Sequence, residues 1–138
     1  MANRYQIVRS TLEAEFAKPY VYGESDCFFL GCRMADALDG SLRLVERYWR
    51  SYSTLLGAQR ALRRRGFTDL PDLFASHLTS CGPAEAALGD IAVLQFGNGQ
   101  HVAVCLGRRF VTRTEAGLLY REIDAVAAAF RTGGAPCS

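Results

Sequence analysis

Two residue types in this chain could together perform covalent chemistry, and both are scarce enough to be weighed singly. There are five cysteines and two histidines in 138 residues. Cys27 follows Asp26 where the turn-rich run Gly23-Glu24-Ser25-Asp26 gives way to an apolar helical pattern. A thiol in the first turn of a helix meets unpaired backbone N–H groups and the positive end of the helix dipole. Both favour the thiolate, the form that attacks carbonyl carbon, so Cys27 is expected to alkylate faster than the other cysteines. Cys32, Cys81, Cys105 and Cys137 lack such a setting and read as small packing residues. No two cysteines form a C-x-x-C pair, which leaves no zinc or dithiol redox motif and no cofactor to expect.

A thiol nucleophile needs a base. His77, in LFASHLTS, lies on an expected short helix with nothing to aim it, and reads as a surface histidine. His101 opens a strand after the glycine-rich Gly97-Asn98-Gly99 turn. There a side chain can project over a sheet end while the backbone is held by the ladder, as a base must be held. A cysteine at a helix start and a histidine at a distant strand start make the pattern of thiol-dependent acyl transfer.

The elements that must position them follow from periodicity. Val8, Leu12 and Phe16 form one helical stripe over residues 5–17, stopped by Pro19. Asp26 caps a second helix from about Cys27 to Leu38, ending at Asp39-Gly40. A third runs from about Ser53 to Arg65, with Leu55, Ala58 and Leu62 on one face and Gly66 beyond it. A short fourth has Asp69 as cap and Pro71 in its first turn. The period then changes: residues 90–96, 101–107 and 109–114 are short and β-branched, separated by turn residues, and predict an antiparallel meander with Asp90 fixing the turn before it. Residues 117–123 add a fourth strand, and Ala125–Arg131 a terminal helix. Helices followed by a sheet give an α+β class, in one domain spanning residues 1–138.

Composition removes other functions. Hydrophobic content of 49% with 22% charge is that of a globular chain able to bury its own core. A net charge of +2 gives no reason to expect nucleic acid, and the basic run Arg60, Arg63, Arg64, Arg65 reads as a solvated helix end. Charges at Arg4, Arg9 and Glu13 interrupt any signal-peptide core, and no segment is long and apolar enough for membrane insertion, so synthesis in the bacterial cytoplasm without a signal peptide is expected.

The two motifs, PYVYGESDCFFL and LGDIAVLQFGNGQHVAVCLGRRFVT, resemble those of NlpC/P60 cysteine peptidases, most closely the short phage- and prophage-encoded members. The resemblance implies a papain-like core in which helices pack on a small antiparallel sheet, with Cys27 as nucleophile, His101 as base and later acid, and the Tyr20 hydroxyl joining the Cys27 backbone N–H in an oxyanion hole. It places an orienting residue on the strand after the histidine. That residue is Thr112 if the turn is one residue short; a two-residue turn sets Thr114 opposite His101, and a three-residue loop brings Glu115 there. Two positions depart from the family pattern: Ala103 replaces its glycine, and Phe28 replaces the small residue after the cysteine. The implied activity is cleavage of an amide in peptidoglycan stem peptides by a virion component of the phage tail, in contact with tail-tip proteins, during local cell-wall penetration. The alternative is a catalytically inactive tail-assembly or peptidoglycan-binding module. A host-side toxin or an amidase acting on small γ-glutamyl amides would share the chemistry.

Overall fold

The computed structural model describes residues 2–97 and 99–133; Cys137 lies outside them. The first helix, α1 (Arg4–Phe16), is capped by Asn3, whose side chain accepts from the Gln6 N–H while the Gln6 side chain accepts from the Asn3 N–H. Next come α2 (Cys27–Leu38), α3 (Leu44–Tyr48), α4 (Leu55–Arg64) and α5 (Leu70–Ala75). Six strands complete the chain: β1 (Ser80–Cys81), β2 (Ile91–Phe96), β3 (Gly99–Cys105), β4 (Phe110–Thr114), β5 (Gly117–Arg121) and β6 (Val126–Phe130). They form one antiparallel sheet in the order β1-β6-β2-β3-β4-β5, so the fold is α+β. No helix among the described residues is long and apolar enough to cross a membrane.

The expected terminal helix over Ala125–Arg131 is instead β6, inserted between β1 and β2. Its sequence VAAAF is apolar throughout and carries no period. The choice was made by β2, whose free edge pairs Ile91 with Phe130 and Ala92 with Ala129, and this pairing overrides the helix propensity of three alanines. The helix α3 had no local signal either. It is entered through Arg43 in the left-handed region, and its first amides, Leu44 and Val45, donate to the Asp36 carboxylate on α2. His77 is also corrected: it lies past the end of α5, partly buried, with Nε2 2.6 Å from the Tyr48 hydroxyl.

Strand alternation sorts the sheet into two faces. Ile91, Val93, Val102, Val104 and Val111 join the main core under α2, while Ala92, Leu94, Ala103, Cys105 and Phe110 form a smaller cluster on the other face. The helix α2 meets the sheet at Gly31, where an added Cβ would stand 2.5 Å from Val102 Cγ1. That close approach brings the start of α2, and so Cys27, down to β3 and β4.

Candidate functional site

Cys27 is placed by the turn before it. One oxygen of Asp26 accepts from the Phe29 N–H at 3.0 Å and caps α2, as its spacing predicts. The other accepts from the Gly23 N–H at 3.0 Å and the Tyr52 hydroxyl at 2.5 Å. Gly23 has φ +84, and a Cβ there would lie 2.0 Å from the Tyr52 carbonyl oxygen. Glycine is therefore required on both conformational and steric grounds. The buried Asp26 carboxylate joins the helix start, this turn and the segment leading to α4 into one unit.

That unit forms one wall of a cleft of about 680 Å³, whose lining includes Tyr20, Cys27, Tyr52, Leu62, Gln100 and His101. The Gln100 side chain, which the sequence did not single out, accepts from the Leu70 N–H at the start of α5 and ties β3 to the helical wall.

The predicted residues are distributed around this cleft as follows. Cys27 is partly buried, and its thiol is pushed up to about 11, first by burial and then by the neighbouring Asp26 carboxylate; the Val102 backbone, the Thr112 hydroxyl and the backbone N–H of Cys27 itself act the other way. The helix-start effect is real but outweighed, so the resting group is a neutral thiol. Tyr20 lies with its hydroxyl beside the Cys27 N–H, and burial holds the phenol well above the usual tyrosine range. It remains protonated, and therefore a donor, at any physiological pH.

His101 reaches the rim of the same cleft, but its side chain belongs to the other face of the sheet: it stands opposite Leu94 and alternates with Val102, whereas Cys27 packs on the α2 face. Its ring stacks on Phe96, with centroids 4.2 Å apart and planes 9° from parallel, and no side-chain hydrogen bond joins it to Cys27 or to any other described residue. Burial, then the Arg121 guanidinium, lowers its pKa below the ordinary 6.5. The imidazole is neutral near pH 7 and able to accept a proton.

Thr112 is fully buried, with its hydroxyl donating to the Val102 carbonyl at 2.6 Å. The turn has two residues: the Leu106 N–H donates to the Arg109 carbonyl, and the ladder pairs Cys105 with Phe110 and Val104 with Val111. Beyond that point the Thr112 hydroxyl replaces the ladder in holding β3 to β4, next to the Cys27 thiol. Its proton is spent on Val102. Thr114 donates to the Gly117 carbonyl, and Glu115 accepts the Tyr22 hydroxyl at 2.7 Å. None of the three hydrogen-bonds to His101.

The arrangement thus brings a neutral thiol and two fixed donors, the Cys27 N–H and the Tyr20 hydroxyl, to one partly enclosed cleft, with a neutral imidazole at its rim on the other face of the sheet. The thiol and donors can accept a carbonyl compound and hold charge that develops on its oxygen; passing a proton between sulfur and nitrogen requires the His101 ring to leave Phe96.

The model of one family, described as Domain of unknown function (DUF6950), matches residues 2–132, and the chain belongs to that family. No curated protein and no solved structure matches the chain.

Proposed function

We propose, for a chain whose family description carries no activity, that it is a thiol-dependent hydrolase cleaving an amide bond in peptidoglycan stem peptides. In this reading the fold is a papain-like core of NlpC/P60 type, and the protein is a phage tail component acting in local wall penetration. The observation that supports the proposal is that Cys27, its backbone N–H and Tyr20 meet at one cleft, with His101 at its rim. The substrate and the tail setting rest on the motif resemblance.

The steps follow from the protonation states. A substrate carbonyl enters beside Cys27; in this proposal His101 leaves Phe96, comes round the end of β3 to the thiol, and takes its proton as sulfur attacks the carbonyl carbon. The oxyanion is held by the Cys27 N–H and the Tyr20 hydroxyl. The imidazolium then protonates the amine, the C–N bond breaks, and a thioester remains. Water, losing a proton to His101, attacks the thioester; the acid leaves and the proton returns to sulfur. Because thiol and imidazole both start neutral, this is general-base catalysis rather than attack by a standing ion pair.

Purified protein incubated with bacterial peptidoglycan is expected to release new amino groups, and Cys27→Ala and His101→Ala to abolish that release. Tyr20→Phe, which removes one donor and little volume, should lower turnover about 10²-fold. Release that survives Cys27→Ala refutes the proposal. A second reading is favoured by the raised thiol pKa and the unbonded His101: a catalytically silent tail-assembly or peptidoglycan-binding module. Sedimentation of the protein with peptidoglycan, with no amino groups released, is its signature.

A further inference from the structure

Arg113 is 7% exposed and faces none of the carboxylates, so among the described residues it forms no ion pair. A buried cation without a counter-ion is costly unless its donors are used. Here two of its three nitrogens are bonded: Nη1 donates to the Glu15 carbonyl at 2.7 Å and Nη2 to the Lys18 carbonyl at 2.8 Å. The third, Nε, is buried without a partner. The guanidinium also lies 5.4 Å from the centroid of the Tyr20 ring. It therefore grips the end of α1 and the residue before Pro19, and lies against the phenol that follows.

The other end of this segment is tied as well. Arg33 on α2 donates to the Glu24 carbonyl and to the buried Glu15 carboxylate, each at 2.8 Å, and the Ser25 hydroxyl donates to the Pro19 carbonyl at 2.5 Å. Between these ties Tyr20 has no hydrogen bond to any residue of the sheet, so its place beside the Cys27 N–H depends on the backbone that carries it.

From this we infer that Arg113 is a positioning residue for the proposed hydrolysis: it holds the segment 15–20 so that the Tyr20 hydroxyl stays at the oxyanion position. The inference rests on the thiol-hydrolase reading for its catalytic half. Only arginine fits the role, because its planar fork reaches two carbonyls while resting on a ring; a lysine ammonium reaches one.

Two measurements on the whole protein separate this from a role in bulk stability. In hydrogen–deuterium exchange, Arg113→Met should speed the amides of residues 18–22 about tenfold or more, with the amides of β2 and β3 unchanged. In amino-group release from a soluble muropeptide, Arg113→Met should lower kcat about tenfold with KM unchanged, Arg113→Lys should recover part of both effects, and Arg113→Met should cost nothing further in a Tyr20→Phe background. If Arg113→Met fails to fold, Arg113→Lys carries both measurements, with smaller shifts of the same sign. Unchanged exchange at residues 18–22 overturns the inference, as does faster exchange with kcat unchanged. A wild-type protein that releases nothing overturns the hydrolase reading and with it the catalytic half, while the exchange result still decides whether Arg113 orders the segment.

Discussion

Replacing Asp26 with asparagine should make Cys27 more reactive. The carboxylate is buried, adjacent in sequence, and second only to burial in raising the thiol. With a pKa of about 11 against an ordinary value of 9.0, the thiolate fraction at pH 7 is about 10⁻⁴ rather than about 10⁻². Cys27 in the folded protein should therefore react with iodoacetamide about 10²-fold more slowly than the same cysteine in urea, since the thiolate is the attacking form. Asparagine can still cap α2 through one oxygen, so the helix start is kept. What is lost is the charge, together with one acceptor for the Gly23 N–H and the Tyr52 hydroxyl.

If the charge is worth about one pKa unit, labelling of Asp26→Asn at pH 7 rises about tenfold. The burial contribution remains, so the rate stays below that in urea. Peptide mass mapping after timed quenching reads Cys27 separately from Cys32, which is fully buried, and from Cys81, which is partly buried and should label ahead of Cys27. Urea titration of the variant should show a cost of about 1–3 kcal/mol for the weakened bonds to a charged acceptor. Wild-type Cys27 labelling at the urea rate would refute the reasoning, as would unchanged or slower labelling in Asp26→Asn.

Two further outcomes are expected. If His101 acts as general base it must be neutral, so the acid limb of kcat/KM should have its midpoint below 6.5; Arg121→Gln removes a cation that depresses the imidazole and should move that midpoint upward, and a limb unmoved by the substitution would separate His101 from the rate. Gly31→Ala should destabilise the fold by about 1–2 kcal/mol in urea titration, the overpacking against Val102 at 2.5 Å being offset in part by about 1 kcal/mol of helix propensity, and a midpoint equal to or above wild type would refute the packing argument.

The parts of the fold that were legible are those whose causes are local. Asp26 three residues before Phe29 is a cap because cap geometry spans three residues, and α2 begins where expected. Alternating β-branched residues around Gly97 and Gly107 gave the β2-β3-β4 meander for the same reason. The failures have distant causes. Nothing near Leu44 announces that Asp36 will cap α3, and nothing in VAAAF says that an edge of β2 is waiting for it. The site divides in the same way. Cys27 was proposed from a helix start, which α2 keeps, and His101 from a strand start, which β3 moves to Gly99, whereas Tyr52, Gln100 and Arg113 act through partners 26, 30 and 95 or more residues away, a range over which spacing carries no signal. Thr112 was chosen by register as a partner for His101, and register could not report that the Val102 carbonyl takes its proton.

The thiol itself shows most clearly what locality hides. The helix dipole and the free amides of the first turn are properties of a short stretch of chain, and they argue for a thiolate. Burial and the inward-turned Asp26 carboxylate are properties of packing, and they argue for a thiol. Packing wins, because withdrawing a sulfur anion from water costs more than a few partial charges return. The consequence reaches the mechanism. For the proposed hydrolysis, a nucleophile that is neutral at rest needs a base that is also neutral and within reach; the lowered pKa of His101 meets the first condition, while its place opposite Leu94 and against Phe96, on the face away from α2, leaves the second to a movement of the ring. The packing that withdraws the sulfur from water thus also leaves it without an imidazole on its own face, and the proposed proton transfer requires His101 to leave Phe96 and come round the end of β3.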